Sequence, residues 1–313
     1  MSNVTGTASP VLLEPVDAWY WVIRGIIAIL TIIGNGLVIY MIAFKRRLRV
    51  PNNWFVLSLA VVDFCVGLFT TASGLLCTFQ LRCDWRLQTT FYNFLLFAST
   101  LNLWAMAIDR YIGIVYSLRY KSLVTTKRVV AMVAMSWGIS FVAAFVRLLW
   151  LQNNHFNQRI DKYYRVVIDL FFGIISCAVL VTIYFRILFI SRKLARNAAR
   201  QLGQINYNYA PYSKKTEARG NKSAKFLGLV VLLFVLCYSL SIYISFCLIF
   251  KLNSAINALM MRVSLLLVHF NSAVNFVVYA FMKKDIRLEF RRLCRCRRDN
   301  PSDFTESREF SLA

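Results

Sequence analysis

Seven apolar stretches, each long enough to cross a bilayer, leave this chain few folds to choose from. A membrane-crossing helix needs roughly 20 mostly apolar residues. Such runs lie at about Ala18–Phe44, Asn53–Phe79, Thr89–Tyr116, Val129–Leu151, Tyr163–Ile190, Ala224–Phe250 and Asn257–Met282. A soluble bundle of buried helices is the competing arrangement, and composition argues against it. Of 313 residues, 58% are hydrophobic and 16% charged, whereas a soluble domain is usually about 45–50% apolar. Too little polar surface would remain to cover seven buried runs. The expected fold is an all-α membrane protein, a seven-transmembrane helix bundle. Its organisation is expected as an N-tail over 1–17, the bundle over 18–282, an amphipathic interfacial helix over 283–294 and a tail over 295–313.

The charge is lopsided: 37 Lys and Arg against 14 Asp and Glu, a net +23. Such a balance suits nucleic acid or an anionic membrane surface, and its placement selects the membrane. With seven spans the two tails lie on opposite sides. The C-tail side collects the basic residues of 45–49, 119–128, 192–222 and 283–308, while the other side holds Arg82, Arg86, Arg159, Lys162 and Lys251. The positive-inside rule therefore puts the C-terminus in the cytosol and the N-terminus outside. Nucleic acid is not needed as a partner, and part of the charge is expected to meet anionic inner-leaflet lipid. Asn3 opens a glycosylation sequon in the expected outer tail. The N-terminus lacks a basic n-region, so the first span is expected to serve as its own insertion signal. Residues 191–223 form the one long polar, basic loop, expected to be flexible or partly a helical extension of its neighbours.

Asp109, Arg110 and Tyr111 end the third run in "AIDRYIGIVYSLRY". Further motifs stand in order: "GNGLVI" with Asn35, "LSLAVVD" with Asp63, Trp137 in the fourth span, Tyr184 near the inner end of the fifth and "NSAVNFVVYAF" in the seventh. In these motifs, across nearly its whole length, the chain resembles the rhodopsin-like G-protein-coupled receptors. The second inner loop and "YAF" are most similar to the melanocortin, adenosine and cannabinoid receptors. The resemblance implies a plasma-membrane receptor that answers an extracellular small-molecule, lipid or peptide ligand by activating a heterotrimeric G protein, with arrestin as a further partner. It implies no enzyme activity.

The resemblance also implies site residues. Asp109 would restrain Arg110 at rest; an outward swing of the sixth helix would free Arg110 for the G protein, with Tyr184 and Tyr279 nearby and Tyr111, Tyr238 and Asn275 in the switch. The bland alternative for Asp109 and Arg110 is a pair of interface charges. Asp63 is a mid-span carboxylate, and intramembrane ionisable groups are functional hypotheses by default. Asn271 and Asn275 share one helix face, and Ser99 lies at similar depth, so the family's sodium site is implied at Asp63, Ser99, Asn271 and Asn275. A protonated Asp63 bonded to the two asparagines is the alternative. No other cofactor or metal is expected.

Departures from the family pattern are equally readable. The five prolines, Pro10, Pro15, Pro51, Pro211 and Pro301, all lie outside the spans. Tyr238 stands where the family has tryptophan, Leu240 where it has proline, and Phe276 where proline should follow Asn275. The helices are therefore straighter or bend by other means, and a non-signalling or constitutively active receptor is the runner-up function. The usual disulfide to the second outer loop is missing; Cys77 and Cys83 are available to each other, and Cys65, Cys177, Cys237 and Cys247 read as small apolar residues. In "KKDIRLEFRRLCRC" Ile286, Phe290 and Leu293 recur at helical spacing, the mark of an interfacial helix. Cys294 and Cys296 follow it as palmitoylation candidates.

The ligand region is the outer half of the bundle. Helical rise places Tyr92 roughly 27 Å above Arg110, at a position where the family's amine receptors carry aspartate. Arg24, Arg147, Asp169, Arg262 and His269 stand in the outer halves. Tyr92, Arg147, Asp169, Tyr238 and His269 are the ligand candidates, with an Arg147–Asp169 pair as the alternative for those two. The cationic bias favours a small neutral or anionic ligand, a lipid or a carboxylate, over a cationic amine. A transporter would show broken midplane helices and paired halves, and an intramembrane enzyme a catalytic set; neither is found, and His155 and His269 share no such motif.

Overall fold

The computed structural model describes residues 18–51, 53–79, 83–151, 158–205, 231–252, 256–282 and 284–296. Asn3 of the sequon and the tail after Cys296 lie outside these residues. No strand occurs among the described residues, as hydrocarbon requires. Backbone amides there find no water, so each span must pair its own. Seven helices are long and apolar enough to cross a membrane. We label them α1 (Ala18–Phe44), α2 (Asn53–Thr78), α3 (Trp85–Val115), α4 (Thr126–Phe145), α5 (from Gln158 to Ile205), α6 (Val231–Ile249) and α7 (Ala258–Met282), with the shorter α8 (Lys284–Cys296) after them.

The helices leave large apolar side chains on the exterior and bury polar ones among the apolar residues of the interior. On α1, Val22, Ile26, Leu30 and Ile33 are all at least half exposed, a stripe of hydrocarbon for lipid. The buried face of the same helix carries Arg24, Thr31, Gly34 and Asn35. Lipid tails are as apolar as leucine, so helix association here rests on packing and interhelical hydrogen bonds rather than on the hydrophobic effect. One such network ties three helices. Trp137 Nε1 of α4 donates to Ser58 Oγ of α2 at 2.9 Å, and Ser58 donates to Asn102 Oδ1 of α3 at 2.6 Å. Each such bond is worth about 0.6 kcal/mol on average. Asn35 of α1 donates to the Ser272 carbonyl of α7 at 3.2 Å, closing the bundle.

Helix ends follow local chemistry. Asp84 caps α3, its carboxylate accepting from Arg86 N at 2.8 Å, which starts α3 before the apolar run begins. Arg49 Nε donates to Ala43 O at the end of α1, and Arg128 Nη1 to Leu123 O before α4, so these loop cations also satisfy orphan carbonyls. α5 runs well beyond the apolar window because "ARNAARQL" is rich in strong helix formers. α8 extends to Cys296; Ile286 is fully buried under it, and Phe290 packs on the bundle core.

Redirection comes from π-helical turns rather than from proline. α2 widens over Val66–Thr70 and α5 over Asp169–Ile175. Such turns insert an extra residue into the ladder and shift the register of all that follows. Ser176 Oγ secures the second by donating to Phe171 O at 3.0 Å. Cys77 and Cys83 are disulfide-bonded, linking the end of α2 to the residue before the α3 cap. Cys65, Cys177, Cys237 and Cys247 are free; Cys237 and Cys247 are buried and the other two half-buried.

Candidate functional site

Three layers of polar residues are stacked along α3. Near its C-terminal end Asp109 is buried and ion-paired with Arg110, Nη2 to Oδ2 at 2.9 Å. A residue that sequence reasoning passed over completes the arrangement: Tyr120 donates to Asp109 Oδ1 at 2.6 Å. Its ring sits over Gly113, where an added Cβ would touch it at 3.5 Å. The last tyrosine of "DRYIGIVYSLRY" is thus folded back by the turn over Ser117–Arg119 onto the acid of the same motif. Tyr184 packs half-buried against the core and makes no hydrogen bond to Arg110 among the described residues. Tyr111 is half-buried beside the pair. Tyr279 lies in α7, but its side chain is outside the described residues, as are those of Cys294 and Cys296.

The middle layer surrounds Asp63, which is fully buried. Ser99 Oγ of α3 donates to Oδ1 at 3.0 Å, and Asn275 Nδ2 of α7 donates to Oδ2 at 2.8 Å. Ser272 is a further hydroxyl beside the carboxylate. Of the four residues named together from sequence, the structure joins three. Asn271 is buried a turn above and makes no direct bond to Asp63 among the described residues. No Lys or Arg pairs with this buried carboxylate among the described residues, and an isolated buried charge is costly. A cation among its hydroxyl and amide oxygens fits that deficit, as such hard donors suit hard ions.

The third layer, towards the N-terminal end of α3, is a cavity of about 870 Å³ between α3, the end of α4, α5, α6 and α7. Its floor and one wall are aromatic: Tyr92, Phe97, Phe172 and Tyr238. Phe97 and Phe172 stack with centroids 4.0 Å apart, and Tyr238 stacks on Phe234 at 4.4 Å. The π turn in α5 brings Asp169, Phe172 and Gly173 onto the wall. Gly173 lets α6 approach, since a Cβ there would come within 3.1 Å of Ile242.

Two of the expected relationships are corrected here. Arg147 pairs with Asp161, not with Asp169: Nε reaches Oδ1 at 2.8 Å and Nη2 reaches Oδ2 at 3.1 Å. Asp161 is the first turn of α5 and faces the end of α4, whereas Asp169 is two turns deeper, opposite Ser245 of α6. His269 stands behind Tyr92 rather than on the cavity wall, the two rings 5.6 Å apart. Its Nδ1 is 2.7 Å from the Leu265 carbonyl, which can only accept, so Nδ1 carries the hydrogen. Nε2 then accepts, and Arg24 Nη2 lies 3.3 Å and Thr70 Oγ1 2.9 Å away. Arg24, itself buried, also donates to Tyr20 Oη at 2.7 Å and to Thr70 O at 2.8 Å. The signal for this cluster was in the sequence, a lone arginine inside an otherwise uncharged first span; its partners were not.

The comparisons agree with the seven-helix fold. Residues 34–279 match the family described as "7 transmembrane receptor (rhodopsin family)". The dog histamine H2 receptor is 30% identical over 95% of this chain and 85% of its own length. The chicken adenosine receptor A2b is 30% identical over 88% of this chain and 87% of its own length, and the human adenosine receptor A2b is 29% identical. With a family match across most of its length, this chain belongs to the rhodopsin family of seven-transmembrane receptors, which are receptors and not enzymes.

Proposed function

We propose that the protein is a plasma-membrane receptor, N-terminus outside and C-terminus in the cytosol, that passes occupancy of its outer cavity to a heterotrimeric G protein at its inner face. The observation that carries this reading is that α3 holds all three layers: Tyr92 and Thr100 line the cavity, Ser99 bonds the buried Asp63, and Asp109 holds Arg110. A shift of α3 against α6 or α7 in the cavity is thereby felt at the Asp109–Arg110 pair. The Cys77–Cys83 disulfide supports the orientation, since disulfides persist on the oxidising outer side. Asn3 is then accessible for glycosylation, and Cys294 and Cys296 for palmitoylation beside α8.

Asp63, Ser99 and Asn275, with Asn271 a turn away, would hold a sodium ion. Bound there, the ion supplies the positive charge that the buried carboxylate lacks. Arrestin would share the inner face with the G protein. For the ligand, the relatives are named for histamine and adenosine, both small polar molecules. We place the ligand of this receptor in the same size class, neutral or anionic in charge, because Tyr92 and the buried Arg24 behind it offer no seat for an ammonium group. Nucleotide exchange on G proteins, measured for receptor in cells with and without ligand candidates, tests the reading. Arg110→Ala at matched surface expression is expected to abolish exchange; equal exchange would remove the assigned role of the inner layer.

A further inference from the structure

At the α4–α5 end of the cavity two arginines converge on one acid. Arg147 gives Asp161 a two-pronged ion pair, and Arg165 Nε donates to the same Oδ2 at 2.8 Å. Asp161 is buried and the Arg147 side chain is only 15% exposed, so that pair is largely out of water and poorly screened, while the Arg165 side chain is 56% exposed and reaches the acid from the solvent side. Lys162 joins both arginines on the cavity lining. The second carboxylate of the lining, Asp169, already lies in the field of Arg165 and beside Ser245. Among the described residues of the lining, three cations thus face two acids, one positive charge in excess.

The donors are also underused. A guanidinium has five N–H groups in a fixed fork, and each arginine spends two of its nitrogens on Asp161. Tyr164 holds the arrangement still: its ring lies 5.8 Å from the Arg147 guanidinium and its hydroxyl donates to Ala143 O at 2.7 Å. Beyond the cations the cavity becomes aromatic at Phe97, Phe172 and Tyr238.

Building on the reading of this cavity as the ligand site, we infer that the ligand is a monocarboxylate with a small aromatic or apolar body, its carboxylate seated between Arg147, Arg165 and Lys162 and its body against Phe97 and Phe172. One negative charge balances the lining, and a planar carboxylate matches the free edges of two guanidinium forks. An ammonium group would meet three cations at this end and a carboxylate already engaged further in.

The test uses full-length receptor in phosphatidylcholine nanodiscs and three probes of one shape: 4-hydroxyphenylacetate, tyrosol and tyramine, which end in a carboxylate, a hydroxyl and an ammonium group. At millimolar concentration the carboxylate is expected to raise the thermal unfolding midpoint most and tyramine least. Arg165→Gln, at a half-exposed side chain, is expected to weaken the carboxylate about tenfold and leave tyrosol unchanged, the size of one charge-assisted hydrogen bond. Arg147→Gln is expected to do the same if it folds. Tyramine binding as well as the carboxylate, no shift with the carboxylate, or a carboxylate shift untouched by Arg165→Gln would each overturn the inference. An equal shift with inorganic phosphate would also overturn it, leaving a general anion site. Basal nucleotide exchange on the same nanodiscs tests the receptor reading separately.

Discussion

The ring of Phe276 on α7 lies directly over Gly34 on α1. A Cβ at Gly34 would come within 2.1 Å of Phe276 Cδ1 and 2.4 Å of Cγ, far inside any real contact. The residue standing where the family places proline is therefore accommodated by the absence of a side chain one helix away. Gly34→Ala must push the ring, the helix or both, and overpacking of this kind costs about 1–3 kcal/mol. A lowered unfolding midpoint in detergent is expected. Gly34→Ala combined with Phe276→Ala should recover much of the loss, since residues in contact are not additive. Additive losses would show that the two side chains act independently.

Tyr120 predicts basal activity. Its hydroxyl holds Asp109, which holds Arg110. A hydrogen bond to a charged group is worth about 1.5–3 kcal/mol, and part of that favours the resting state. Tyr120→Phe should raise ligand-free nucleotide exchange severalfold at equal surface expression, and Asp109→Asn should raise it further. Unchanged basal exchange in Tyr120→Phe would mean that the hydroxyl is only a packing partner.

What could be read in the sequence, and what could not, divides along a physical line. Spans, polar layers and the charge of the inner loops depend on residue type along one helix, and Asp63 with Ser99 and Asn275 follows from matching depths. Tertiary partners depend on which of several equivalent groups a turn brings near. Arg147 had two acids within one helix of each other, and only the trajectory from α4 into α5 chooses Asp161 over Asp169. Tyr120 looked like a loop residue because its contact with Asp109 exists only after the chain folds back. The π turns in α2 and α5 contain no proline, and the single glycine in each, Gly67 and Gly173, does not by itself mark a π turn, so the register shift that carries Thr70 towards His269 and Asp169 onto the cavity wall was hidden.

Asp63 predicts a response to sodium. Coordination of the ion needs an anionic oxygen, and Asn keeps the shape without the charge. The unfolding midpoint of the wild type should be higher in sodium chloride than in choline chloride at the same ionic strength, and Asp63→Asn should remove the difference. A wild type indifferent to the two salts would favour the alternative, a protonated Asp63 bonded to Ser99 and Asn275 without an ion.

Arg24 predicts which replacement a buried cation tolerates. Its guanidinium is 6% exposed and has no carboxylate partner among the described residues. One fork reaches Tyr20 Oη, Thr70 O and His269 Nε2, on three helices. It also lies 5.2 Å from the Trp21 ring, and its Nη2 passes so close to Gly74 that a Cβ there would stand 3.3 Å away. Lysine keeps the charge but has a single nitrogen, which cannot serve acceptors on α1, α2 and α7 together. It also hydrates more strongly than guanidinium, so burying it costs more. Methionine loses the bonds but removes the buried charge, and such apolar replacements are often tolerated where a broken charge pair is not. Arg24→Lys is therefore expected to lose about 2 kcal/mol, at least as much as Arg24→Met, although it looks like the milder change. Unfolding midpoints of the two variants, purified side by side, decide this. Arg24→Lys as stable as the wild type would show that charge alone, and not the shape of the fork, holds α1, α2 and α7 together behind Tyr92.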